Sequence, residues 1–225
     1  MMPRPPRPIR KAPITVERIL DAAFTLVETE GFDALTMRRV AAALDTGPAS
    51  LYAHVRNKAD LDGLLIGELA AGVTVPEASS TRWREQMIDV CCQMRDQYLR
   101  YPGISRAALA SSQNGVETLR LAEAMLGILL GGGVPAQEAA WAIDALFLYV
   151  SAYSYETSLA SRPGESGGDV DRRVTDRDAI REEFSRLPVA EFPHTVAHAT
   201  ELTAGEGHER FDFTLDLMLR GLVGR

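Results

Sequence analysis

Cysteine is nearly absent from this sequence, and the little there is cannot staple a fold. The two cysteines among 225 residues, Cys91 and Cys92, are chain neighbours. In a helical stretch, adjacent side chains point about 100° apart, so a mutual disulfide is geometrically poor. Histidine is scarce too. His54, His194, His198 and His208 form no zinc-ligand spacing with the cysteines. His194 and His198 can share a helix face, but no third ligand stands beside them, and no metal is expected. Nor does any apolar run reach the roughly 18 residues of a membrane span, because Gly, Pro and charges interrupt each candidate. The opening MMPRPPRPIRKAP is basic but leads into no apolar core of a secretory signal, so the expected location is cytoplasmic. Catalytic signatures are missing as well. Gly131, Gly132 and Gly133 have neither a preceding strand nor a following Lys-Ser/Thr pair, and there is no G-x-S-x-G elbow or H-E-x-x-H helix. The sequence therefore points away from an enzyme, and no cofactor is expected.

What is present is helical periodicity and an uneven charge. The formal net charge is −7, yet residues 1–60 hold nine Lys/Arg against seven Asp/Glu, and the remainder fifteen against twenty-four. A mildly basic front on an acidic body suits a small nucleic-acid-binding head attached to a body that does not bind nucleic acid. Residues 1–13 are rich in Pro and Arg and lack the apolar surface to offset their ordering entropy. They are expected to form a flexible basic arm, either gripping phosphates or a minor groove, or remaining a solvated tail.

Thr15 then reads as the N-cap of a helix carrying Val16, Ile19, Leu20, Ala23, Leu26 and Val27 at a 3.6-residue period, closed by Gly31. Thr36 caps a second, with Val40, Ala41 and Leu44, which stops at the turn formers Asp45-Thr46-Gly47. Pro48 opens a third whose apolar side is Leu51, Tyr52 and Val55. Two short helices across a tight turn are either a DNA-reading helix-turn-helix or an ordinary helical hairpin. Asn57 caps a further helix along Leu61, Leu64, Leu65 and Leu69 that leads from head to body. Beyond it lie a long amphipathic pattern from Trp83 to Tyr101, a helix from Val116 to Leu130, and the strongly apolar AQEAAWAIDALFLYVSAYSYETSLA. Residues 162–178, rich in Gly, Asp, Arg and Ser, read as a mobile loop. Two short helices around Arg177–Leu187 and Phe192–Leu202 follow, then a final helix with Phe211, Leu215, Met218, Leu219 and Leu222. The fold class is all-α.

The string LTMRRVAAALDTGPASLYAHVRNKADLDGLL, preceded by ILDAAFTLVETEGFDAL, resembles the DNA-binding domain of the tetracycline-repressor (TetR) family. Its diagnostic parts are Gly31-Phe32, Leu35-Thr36, the small residues before Leu44, and Leu51-Tyr52-x-His54-Val55-x-Asn57-Lys58. Asp45 departs from the Gly most common in the family's turn, though Asp tolerates positive φ better than most residues. The resemblance covers about the first 65 residues closely and the body more loosely. It implies a helix-turn-helix domain over 14–60 and an effector-binding and dimerisation domain over 61–225.

The resemblance also implies site residues. Arg38 matches a position that reaches a base edge, where a guanidinium fork suits guanine. Pro48, Ala49 and Ser50 form the leading edge of the recognition helix, the first two offering only apolar contact. Tyr52, His54 and Lys58 match phosphate-contacting positions, and Thr36 is a further DNA-contact candidate; Tyr52 can alternatively plug the core. Positions matching the family's effector pocket hold Val90, Met94, Ala108, Ser111, Ala122, Met125, Asp144 and Phe147, with Gln97 nearby. These are mostly apolar, and Ala108 stands where tetracycline-binding members place a metal-ligating histidine. The implied effector is a mostly apolar small molecule, unlike a metal-chelated tetracycline. The implied protein is a homodimer paired through the helices near 136–160 and 208–223, with no membrane partner, repressing from a palindromic operator in double-stranded DNA. An activator of the same family, or a helical ligand-binding protein without DNA binding, are the alternatives.

Overall fold

The computed structural model describes residues 13–110, 115–160 and 177–222, and among them there are helices and no strands. The head begins with α1 (Val16–Glu30). Thr15 caps it by accepting a hydrogen bond from the Arg18 amide, and Gly31 ends it at φ 81°, a left-handed value that favours glycine. A 3-10 turn, Phe32–Ala34, drives Phe32 and Leu35 into the core beneath α1. Thr36 caps α2 (Met37–Ala43) in the same way, through the Arg39 amide at 3.2 Å. Asp45 adopts φ 51° in the turn that follows, a left-handed value that aspartate tolerates better than most residues.

The recognition helix α3 (Pro48–Leu51) is a single turn, shorter than the apolar pattern suggests. Leu51 and Val55 are both fully buried and pin it to the head, whereas Tyr52 is 54% exposed. A side chain one residue from a buried anchor points about 100° away from it, so Tyr52 faces solvent rather than plugging the core. Asn57 then caps α4 (Lys58–Ala71) by accepting from the Asp60 amide at 2.8 Å. Leu61 and Leu65 of α4 are fully buried, and the same helix runs on to Leu69 in the body.

The body is built around α5 (Trp83–Arg100) packed along α8 (Ala136–Ala160). Between them in the chain come α6 (Ser105–Ala110), lying on α8, and α7 (Val116–Gly131), which packs against α4, α5 and α8. Gly132 is required by contact: a Cβ there would stand 2.3 Å from the Trp83 indole. The segment after residue 176 forms α9 (Arg177–Ser185), α10 (Pro193–Ala197) and α11 (Ala199–Thr203), so the second expected helix is split at His198. The last helix, α12 (Glu209–Arg220), closes over α5 and α8 with Phe211, Leu215 and Leu219 buried. Arg95, 8% exposed, is tied there by Asp96 at 2.8 Å and Asp212 at 3.8 Å, with its guanidinium 4.8 Å from the Phe211 ring. A charge that deeply placed is tolerated because it is paired. No described helix is long and apolar enough to cross a membrane.

Candidate nucleic-acid interface and ligand cavity

Capping and turn chemistry hold α2 and α3, and Thr36, Arg38, Pro48, Ala49, Ser50, Tyr52 and His54 are all exposed on the head. The cations of this region differ in how they are held. Arg39 is paired with Glu30 at 2.5 Å, Arg56 with Asp60 at 3.1 Å, and Lys58 with Asp62. Arg38 makes no ion pair among the described residues and is exposed at the start of α2. Ser50 accepts a hydrogen bond from the Thr46 hydroxyl at 2.9 Å, which fixes it across the turn. Glu17, at the first turn of α1, is held below its usual carboxyl range, first by its hydrogen bond with Thr15 and to a smaller degree by nearby His54. The start of α1 therefore lies close to the reading turn.

Lys58 is one-third exposed, and its ammonium lies 4.2 Å from the centre of the Phe32 ring. The Arg106 guanidinium approaches the same ring at 5.4 Å and pairs with Asp33 at 2.5 Å. The Phe32 amide donates to the Pro102 carbonyl at 2.9 Å, Arg100 reaches Glu28 at 3.4 Å, and the Phe24 and Tyr101 rings meet at 4.6 Å. The turn between α5 and α6 thus clasps the head by backbone, charge and ring contacts together. Its ion pairs are surface pairs worth about 0.2–1 kcal/mol each.

Behind this clasp lies a narrow cavity of about 30 Å³, room for about two waters. Its walls include Gly63, Ile66 and Ala70 of α4, Tyr98 of α5, Thr118 of α7 and Leu121. Of the residues matched to the family's pocket, Met94, Gln97, Ala108 and Phe147 line it. Val90 and Met125 are fully buried in the adjoining core, and Ala122 is partly buried beside it. Asp144 lies elsewhere: it is exposed on α8, on the face shared with Trp141 and Leu148, because residues three and four apart on a helix are neighbours. Ser111 lies outside the described residues. Sequence reading missed the contribution of α4. The available signal was Ile66, Ala70 and Val73 beside Gly63 and Gly67, a second apolar face behind the leucine one.

No group of three or more metal-ligating side chains occurs among the described residues. Burial pushes the Cys91 thiol up to about 12 and also raises Cys92, the opposite of what a reactive cysteine needs.

Two family models match this chain: "Bacterial regulatory proteins, tetR family" over residues 19–61 and "Tetracyclin repressor-like, C-terminal domain" over residues 75–225. The chain belongs to the TetR family. Among TetR-family relatives it is 28% identical, over 96% of its own length and 80% of theirs, to the HTH-type transcriptional repressor DrrR1 of Streptomyces coeruleorubidus. Its fold is similar to that of ActR from Streptomyces coelicolor solved with (S)-DNPA, at a TM-score of 0.83 and 32% identity, covering 94% of this chain and 98% of that one. ActR solved with actinorhodin matches at 0.82 and 33%, covering 94% and 96%. As a TetR-family protein this chain is a DNA-binding transcriptional regulator, a class whose members are not enzymes, and its two parts are the N-terminal helix-turn-helix and the C-terminal helical domain.

Proposed function

We propose that this protein is a homodimeric repressor, held on a palindromic operator and released by a mostly apolar small molecule. One observation carries the reading: α4 contributes both Lys58, beside the reading turn, and Gly63, Ile66 and Ala70, a wall of the cavity. A cavity of about 30 Å³ is smaller than the roughly 300–1,000 Å³ of ordinary ligand sites, so an effector can enter only by parting its walls. Parting them displaces α4 and the clasped head. An effector with that requirement binds the displaced state more tightly than the operator-bound one, which is the condition for release. ActR, similar over nearly the whole chain, is solved with small molecules, and this supports ligand response here.

The dimer reading draws on a bare apolar face. Trp141 and Leu148 of α8 and Phe213 and Leu217 of α12 are at least half exposed, and a groove of about 350 Å³ runs between the two helices beside Trp141 and Met218. Large apolar side chains grouped in this way mark an interaction surface, and a second copy of the same two helices supplies matching ones. A two-fold pair would present its α3 helices to major grooves about one DNA turn, or a multiple of it, apart.

Arg38 is the leading base reader, with Thr36, Ser50, Tyr52, His54 and Lys58 on phosphates and Pro48 and Ala49 against bases. The decisive experiment is selection of an operator from random DNA, followed by a mobility-shift assay. A two-fold symmetric sequence bound in preference to bulk DNA is expected; equal binding to all sequences at physiological salt overturns the reading. Lys58→Ala should weaken all sequences alike and lower the salt slope by about one.

A further inference from the structure

The cavity has a polar side that its apolar walls do not explain. Tyr98 and Thr118, 6% and 5% exposed, line it from α5 and α7. Thr118 forms no side-chain hydrogen bond among the described residues, and neither does the amide of the partly buried Gln97 on the same wall. The Tyr98 phenol stands beside the Ser151 hydroxyl. Ser151 and Ser154, each 1% exposed, find no hydrogen-bond partner in good geometry among the described residues. Ser151 sits one turn beyond Phe147 on the same face of α8, and Phe147 lines the cavity.

Burying a hydroxyl without a partner is costly, and native proteins rarely cluster such groups unless something satisfies them. Here Tyr98, Thr118 and Gln97 line one slot, and Ser151 stands beside the Tyr98 phenol. Among the described residues no charged side chain lines that slot, so an ionised ligand would give up its hydration there without a counter-charge. Burial pushes the Tyr98 phenol up to about 12, which keeps it neutral and able to donate. The Phe147 and Tyr98 rings supply aromatic walls.

We propose that this cavity recognises an uncharged, mainly apolar ring compound bearing a hydroxyl or carbonyl group, which hydrogen-bonds Tyr98 and Thr118, with Ser151 behind them. This rests on the effector reading above and adds to it the charge and the polar contacts of the ligand. The probes are a matched set: 2-naphthol, naphthalene and 2-naphthoate, titrated calorimetrically into the full chain at about pH 7.5, where a carboxyl group is ionised. 2-Naphthol is expected to bind at least about tenfold more tightly than 2-naphthoate. Tyr98→Phe and Thr118→Val should each weaken 2-naphthol about three- to tenfold, leave naphthalene unchanged, and leave the melting temperature of the free protein level or raised. The proposal is overturned if 2-naphthoate binds as tightly as 2-naphthol, if neither variant alters 2-naphthol affinity, or if none of the three binds. Its fate separates from that of the effector reading. Binding of 2-naphthol in the expected pattern with the operator still held refutes the effector reading alone. Release of the operator by another compound, undiminished in both variants, refutes this site alone.

Discussion

Arg38 and Lys58 are two cations of the head that are held differently. Lys58 is held by Asp62 and rests on the Phe32 ring, whereas Arg38 is exposed and makes no ion pair among the described residues. A guanidinium that gives up no partner on binding is free to spend its fork on a base edge. Arg38→Ala, measured on single-base variants of the selected operator, should cost about 1–3 kcal/mol and relax selectivity at one position; uniform weakening at every position would make it a phosphate contact. Cys91 and Cys92 illustrate the opposite, residues whose surroundings remove their chemistry. A thiol raised in the folded state is stabilising while protonated, so its contribution is full below the unfolded value near 8.5 and is lost as pH rises toward about 12. At pH near 8, a thiol reagent such as DTNB should therefore leave Cys91 unmodified until the chain unfolds, with Cys92 reacting slowly; prompt modification of both would contradict that burial.

Among the elements, α4 decides most. It begins at an Asn57 cap, runs through a head-facing leucine stripe, and ends as a cavity wall. Two of its residues, Gly63 and Gly67, are helix-interior glycines, each costing about 0.5–1 kcal/mol relative to alanine. A Cβ on Gly63 would meet nothing within 4 Å, so Gly63→Ala should raise the melting temperature by a few degrees and, by stiffening the wall that must part, blunt operator release by effector. Gly132→Ala is the contrasting case, since its Cβ would collide with the Trp83 indole; a loss of about 1–3 kcal/mol is expected in denaturant unfolding. The caps at Thr15, Thr36 and Asn57 were legible in the sequence because each is a local interaction spanning three residues. The one-turn length of α3 was not legible: periodicity places Leu51, Tyr52 and Val55 together, and only the packing of the head assigns Tyr52 to solvent.

On the scale of the whole molecule, head and body are joined twice, covalently through α4 and by contact through the clasp around Phe32, Asp33 and Arg106. In the proposed release mechanism, both connections lie between the cavity and the head. The proposed dimer pairs through the bare apolar faces of α8 and α12. Trp141→Glu combined with Phe213→Glu, both on exposed positions, should leave the helical content intact while sedimentation shifts from dimer to monomer, with operator affinity falling because two half-sites are no longer engaged together. A stable dimer in this double variant would remove the α8–α12 face from the interface.

The sequence alone determined the all-α class, most of the long helices with their caps, and the helix-turn-helix and its family, because caps, breakers, 3.6-residue periodicity and a contiguous motif are all local in the chain; the one-turn α3, the short α6 and the break at His198 were not legible there. It also placed Met94, Gln97, Ala108 and Phe147 among the residues to watch. Tertiary structure decided which of those meet at one cavity, put Asp144 on the outer face instead, and added α4, Tyr98 and Thr118. The reason is geometric: a local pattern states which face of a helix is apolar, while the neighbour that covers that face, and the gap left between them, depends on residues far away in the chain.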